Sequence, residues 1–246
     1  MVNQDITVVI PTSPIRSHPD TSIIDECIAS TRVHLPTSEI ILTIDGVRKE
    51  QEYLLTEYNE YKTRLLWKCL HEWKNVLPIV FKEHSHQSGM MKETLKHIRT
   101  PLLVYSEHDT PLTPDRKIDW DKCREFIYSG EANTIRFHHE AVIPKEHDNL
   151  IIGNPKDHFI RTVQWSQRPH LSTKLYYEQV MGNFNDNSRT MIEDLYHGVL
   201  MNDWINNGKI GWNKHRLWIY YPPGKSIQRS YNLDGRGAES KYEMYY

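Results

Sequence analysis

Cysteine is scarce: Cys27, Cys69 and Cys123 are the only three in 246 residues, and no Cys-x-x-Cys occurs. An odd count without paired spacing excludes a disulfide framework and a zinc ribbon. All three read as small core residues in a reducing compartment. Phenylalanine is also sparse, with 5 residues, and 7 Trp and 14 Tyr carry the aromatic role instead. Their polar tips predict a core and clefts rich in hydrogen-bonding rings. No apolar run approaches the roughly 20 residues of a membrane span. The first one, Ile6 to Ile10, is too short and too β-branched for a secretory leader, so the expected location is cytoplasmic. A large excess of one sign of charge is missing as well. A net charge of −2 provides no global field toward nucleic acid or membrane. No His-Glu-x-x-His spacing exists among the histidines, which removes the common zinc hydrolase pattern. Nor does a basic, glycine-rich loop follow the first apolar run. Pro11-Thr12-Ser13-Pro14 stands there, which counts against a triphosphate-binding nucleotidyltransferase.

What is present is a series of strand-to-loop exits. Ile6 to Ile10 has the continuous β-branched character of a strand buried on both faces. Asp20 offers an N-cap to a helix carrying Ile23, Ile24, Cys27 and Ile28. Glu39 to Ile44 reads as a second strand closed by Asp45-Gly46. A long charged helix is predicted from Arg48 to about Leu70, and a third strand from Val76 to Phe81. His86-Gln87-Ser88-Gly89 leads into another helix, and Leu102 to Tyr105 forms the fourth strand. This alternation predicts a parallel sheet with right-handed crossovers. The second half is less regular. A helix is expected around Trp120 to Ile127, and strands at Asn133 to Phe137, Ile160 to Trp165 and Leu217 to Tyr220. Two further helices are expected at Thr173 to Met181 and Thr190 to about Ile205. The tail from Ser226 reads as a loop. With no internal repeat, a single domain over 1–246 is expected, divided at about 112 and 215.

Five clusters could carry chemistry. Glu107 and Asp109 flank His108 at the end of the fourth strand. In an α/β sheet that lip faces the ligand crevice. Carboxylates there suit a hard divalent cation, and the cation suits a phosphate; the same residues also make an ordinary turn. Asp109 is the first choice as metal ligand and Glu107 the second. Extended backbone would turn His108 the opposite way. Pro11, Thr12 and Asp45 end neighbouring strands, and Asp45 either accepts from a base or ribose or closes a turn with Gly46. Glu193 and Asp194 open a helix. Adjacent positions do not share a face, so one of them can serve as a general base, although an acidic first turn also suits the helix dipole. Trp165, Gln167, Arg168 and His170 crowd one strand exit, where flat rings and planar hydrogen-bonding groups suit a sugar or nucleobase. A polar loop over a buried Trp is the plain alternative. A C-terminal basic tract with Lys225 and Arg229 could close over a diphosphate, track nucleic acid, or form a solvated surface.

Taken in order, Val8-Val9-Ile10-Pro11-Thr12, Ile41-Leu42-Thr43-Ile44-Asp45-Gly46, Glu107-His108-Asp109 and Glu193-Asp194-Leu195 resemble the GT-A glycosyltransferases. The likeness is to the inverting family 2 type and covers roughly residues 5–200. Glu107 to Leu112 and Thr162 to Leu171 are similar to segments of small phage-encoded and bacterial members. The resemblance implies a GT-A (nucleotide-diphospho-sugar transferase) fold, a mostly parallel central sheet flanked by helices. It implies transfer of a sugar from a nucleotide sugar, commonly UDP-linked, to an acceptor hydroxyl with inversion. Pro11, Thr12, Asp45, Gly89, Glu107 and His108 would surround the donor. Asp109, with Glu107, would hold Mg²⁺ or Mn²⁺. Asp194, beside Glu193, would be the catalytic base. Trp165, Gln167, Arg168 and His170 would meet the acceptor, and Lys225 and Arg229 the phosphates. Residues 1–112 would form the donor half, 113–215 the acceptor half, and 216–246 a region closing over the site. Acceptors compatible with this pattern are a hydroxymethylated pyrimidine in double-stranded DNA, a protein or a glycan; no membrane and no obligatory protein partner are implied. Two departures stand out. Glu107 replaces the first Asp of Asp-x-Asp, and Met181-Gly182-Asn183-Phe184-Asn185 replaces a glycine-rich acceptor loop. A nucleotide-sugar-binding protein without catalysis is the rival from another class.

Overall fold

The computed structural model describes residues 5–224 and 226–233. In its first half β1 (Ile6–Thr12), α1 (Ser22–His34), β2 (Ile40–Ile44), α2 (Leu55–His71), β3 (Val76–Val80), α3 (His86–His97) and β4 (Leu102–Tyr105) alternate along the chain. Then come α4 (Trp120–Tyr128), β5 (Thr134–Arg136), β6 (Ile151–Lys156) and β7 (Phe159–Thr162). β8 (His170–Thr173), α5 (Lys174–Met181), α6 (Ile192–His215) and β9 (Leu217–Tyr220) complete the described fold. One nine-stranded sheet runs β3-β2-β1-β4-β8-β5-β9-β7-β6. Every residue of β1, β2 and β4 is buried, as their unbroken apolar runs require of strands covered on both faces. At the edge, β3 is half-exposed and contains Pro78. The bonds Ile40 N–H to Asn75 O and Phe81 N–H to Ile44 O turn odd-numbered positions of β3 toward β2. Pro78 therefore faces away from the sheet, where its missing N–H costs no ladder bond.

β1 pairs in parallel with β2 on one side and β4 on the other. The strand order reverses between β1 and β4, which opens a crevice at their C-terminal ends. Beyond β4 the sheet is mixed. β8 runs antiparallel to β4 and β5, β9 is parallel to β5, and β7 is antiparallel to β9 and β6. Because β8 enters at the lip of β4, with His170 opposite Tyr105 and Thr173 opposite Leu102, the loop preceding it is delivered directly to the crevice.

Two strands lay outside the sequence expectation. β8 has three polar residues among its four, and its burial rests on pairing such as Ser172 Oγ to Thr134 Oγ1 at 2.9 Å. β6 contains Gly153 and Pro155 and is largely exposed. The predicted long helix from Arg48 begins as a 3₁₀ segment, Lys49–Leu54. The last long helix extends past Ile205 to His215, with a break at Gly208 (φ 53°). Asp20 does not cap α1 itself: it accepts from Ser22 N–H at 2.6 Å, and Thr21 is the N-cap. The core is built from amphipathic rings as the composition suggested, with Trp165, Trp218, Tyr58, Tyr61, Tyr105 and Tyr177 fully buried. Aromatic side chains of this size bury about 150–250 Å² each. Cys27 and Cys123 are buried and Cys69 half-buried, all as free thiols; burial pushes the Cys27 thiol up to about 12.

Candidate active site

A cleft of about 300 Å³ occupies the β1/β4 crevice. Pro11 and Thr12 come from the end of β1, and Asp45, Arg48 and Gln51 from the segment after β2. His84, His86, Gln87 and Met90 come from the start of α3 and its approach, Glu107, His108 and Asp109 from the end of β4, and Met191 from the start of α6. Pairing of β4 with β1 continues past Tyr105 through Ser106 N–H to Val9 O (3.0 Å) and His108 N–H to Pro11 O (3.2 Å). The chain then turns, with Thr110 N–H bonded to Glu107 O at 3.0 Å. That turn ends the two-residue alternation, so His108 lines the same cleft as its neighbours rather than pointing away from them. Its Nδ1 lies 3.3 Å from Pro11 O, and its buried Nε2 has no hydrogen-bond partner among the described residues.

Asp45 is 1% exposed, and its carboxylate joins the end of β2 to the start of α3. Oδ1 accepts from Gly46 N–H (2.8 Å) and Ser85 N–H (2.7 Å), and Oδ2 from His86 N–H (3.0 Å). The His84 Nδ1 atom is 2.9 Å from Oδ2. These donors include two of the orphan N–H groups at a helix start. Arg48 reaches the His86 ring at 3.1 Å. Burial first, then the charges of Arg48 and His84, lower the His86 pKa against the opposing pull of Asp45 and Asp194.

Gln87 is the hub between the two halves of the site. Its amide NH₂ donates to Glu107 Oε1. Its Oε1 accepts from Gln167 Nε2 (3.2 Å) and from Ile192 N–H (3.2 Å), the first turn of α6. Gln167 Oε1 in turn accepts from the Trp165 indole at 2.8 Å. Next to it, Ser88 Oγ donates to Ser188 O and accepts from Thr190 N–H, so α3 and α6 meet at their N-terminal ends.

The two carboxylates of α6 diverge. Glu193 turns inward and accepts from Gln167 N–H at 3.0 Å. It also favours the charge of buried Arg136, whose pKa burial and Arg168 push down to about 9. Asp194 is exposed and acts electrostatically on His86 at the cleft rim.

Other predicted residues stand elsewhere. Gly89 does not line the cleft; a side chain there would meet Ser85 Cβ at 3.0 Å and Arg189. Trp165 and His170 are 1% exposed, and His170 packs against both Tyr105 and Tyr177, which also pack on each other. Arg168 forms a two-pronged ion pair with Glu140 and reaches His138 Nδ1 at 3.0 Å. Of the four residues predicted at the acceptor, Gln167 hydrogen-bonds to a cleft-lining side chain, that of Gln87. Arg229 is fastened by Nε to Lys117 O and by Nη1 to Ser226 O and Gln228 O, over the Tyr220 ring. It lies away from the cleft, and Lys225 falls outside the described residues. The segment carrying Arg229 runs beside the lip, with Leu233 N–H bonded to Asp109 O at 2.8 Å and Tyr231 N–H to Pro111 O at 3.1 Å. Arg48, Gln51, His84, His86 and Gln87 were not predicted. They sit on irregular or first-turn backbone that carries no periodic signal, although the closeness of Arg48 and Gln51 to Asp45 in sequence was a hint.

Among the described residues no group of three or more His, Cys, Asp or Glu forms a metal site. A divalent cation shared with a diphosphate needs only one or two protein carboxylates, and Glu107 and Asp109 line one cleft. The donor set fits that mode of binding.

No family model and no curated protein matches the sequence. Solved structures do match the fold. TarS from S. aureus superposes with a TM-score of 0.54 at 10% identity, over 93% of this chain and 36% of that one. The mannosyltransferase PcManGT from Pyrobaculum calidifontis, in complex with GDP-Man and Mn²⁺, gives 0.55 at 12% identity over 98% and 58%. The fold is GT-A-like. A TarS 1–349 complex with UDP-GlcNAc agrees, with a TM-score of 0.53 at 11% identity over 95% and 59%. This GT-A-like chain thus spans less than two thirds of the length of these neighbours. None of its helices, among the described residues, is long and apolar enough to cross a membrane.

Proposed function

We propose that this chain is a glycosyltransferase that takes its sugar from a nucleotide-sugar donor bound in the β1/β4 cleft. The observation that carries the reading is the convergence of Glu107, His108 and Asp109 with the first turn of α6 at the strand-order reversal. Asp194 is the base. It removes the acceptor proton as the hydroxyl oxygen bonds to the anomeric carbon, and the bond from that carbon to the phosphate oxygen breaks on the opposite face. The bonding pair leaves with the nucleoside diphosphate, and the configuration inverts. Bound Mg²⁺ or Mn²⁺ would neutralise charge on that leaving group, with Asp109 as its main protein ligand and Glu107 beside it. Asp45 holds the N-terminal turn of α3 against the donor, and the 226–233 segment braces the lip. Residues 1–112 serve the donor and 113–215 the acceptor.

The test is nucleoside-diphosphate release from a panel of UDP- and GDP-sugars with Mn²⁺, with and without hydroxymethylated duplex DNA, at two salt concentrations. Release is expected from at least one donor. Stimulation by the DNA that falls steeply with salt would identify a nucleic-acid acceptor. Asp194→Ala should lower turnover by about 10²–10⁴-fold and leave nucleotide binding intact. Binding without release by the parent chain would favour the non-catalytic reading. Full turnover by Asp109→Ala or Asp194→Ala would refute the metal-ligand and base roles of these two residues.

A further inference from the structure

Gln87 is 9% exposed, and both ends of its amide are committed. The NH₂ serves Glu107, at the end of β4, and the oxygen serves Ile192 N–H, in the first turn of α6, together with Gln167. An amide suits this position because it donates at one end and accepts at the other. A carboxylate would face Glu107 with like charge, and an apolar side chain would leave Ile192 N–H and Gln167 Nε2 without their acceptor. Buried polar hubs of this kind fix geometry only when every member is satisfied.

We infer that Gln87 is a positioning residue, orienting Glu107 toward the donor and holding the Asp194-bearing turn of α6 in register with it. This rests on the donor-cleft reading above. Gln87 makes no contact with reacting atoms. Its effect passes through Glu107 on one side and Ile192 on the other, so it bears on donor affinity and on turnover with donor saturating.

Two variants test this. Gln87→Met keeps the side-chain length and removes all three bonds. Gln87→Asn keeps the amide but is one methylene too short to span from Glu107 to Ile192. Binding of UDP and of GDP, each with Mn²⁺, is measured by calorimetry alongside Tm, and amide exchange at Ile192 is followed in the same samples. For both variants nucleotide affinity should fall about tenfold or more, and exchange at Ile192 should accelerate. Parental affinity in Gln87→Met overturns the inference. Should that variant fail to fold, parental affinity in Gln87→Asn overturns it instead. A parent chain that binds neither nucleotide overturns the donor-cleft reading itself, a result distinct from either.

Discussion

Asp45→Asn should weaken the fold more than it changes nucleotide choice. The carboxylate accepts three backbone N–H groups at 2.7–3.0 Å and touches His84. An asparagine has one acceptor oxygen. Placed as Oδ1, it keeps Gly46 and Ser85 and turns its NH₂ against His86 N–H, donor against donor; flipped, it loses Gly46 and Ser85 instead. One buried N–H without an acceptor costs about 1–3 kcal/mol. Converting the two surviving bonds from charged to neutral adds about 1 kcal/mol. The sum, about 2–4 kcal/mol, corresponds to a Tm loss of roughly 5–15 °C in a chain of this size. Calorimetry and urea unfolding read it directly. A Tm drop below about 2 °C, combined with a tenfold change in the ratio of UDP to GDP affinity, would show that Asp45 reads the base and that its backbone bonds are incidental.

Two further outcomes are expected. Burial holds the His170 imidazole down to about 4, with Arg136 adding to the effect, and burial and His108 hold His18 down to about 3. Both stay neutral in the fold while the unfolded chain takes up protons below its ordinary 6.5. Their contribution is therefore complete above that value and lost as pH falls, of order 1–2 kcal/mol each by pH 5; equal urea stability at pH 7 and pH 5 would contradict this. Arg168→Lys cannot reproduce the two-pronged pair with Glu140 and should cost about 1–3 kcal/mol in unfolding experiments, with nucleotide affinity unchanged. A loss of affinity instead would return Arg168 to the binding site.

The first four strands were legible because each is a continuous apolar run of a length suited to a buried strand, ending at a polar stop. Their alternation with helices made the order and the crevice readable too. Glu107 and Asp109 were found for that reason, since they stand where a strand ends. β8 was not legible, because His170 and Ser172 are buried through ring stacking and through hydrogen bonds with β5, neither of which leaves a hydrophobic pattern. With β8 hidden, nothing indicated that the loop before it returns to the lip of β4. Trp165, Arg168 and His170 therefore read equally as recognition groups or as a polar loop over a buried Trp; the structure places Trp165 and His170 in the core and engages Arg168 with Glu140. Gln87 was invisible for a different reason: its importance lies in contacts with residues 20, 80 and 105 positions away in the sequence.

The outward-facing Pro78 has a consequence for how this protein meets others. A strand laid along the free edge of β3 would find no N–H at the middle of its path, and the added ladder would break there. An open sheet of nine strands is thereby terminated at β3 by one ring. Assembly by sheet extension is disfavoured on this side, and self-association at high concentration should not nucleate along it. Replacing Pro78 with Val would supply the missing donor and test whether that single ring keeps the edge closed.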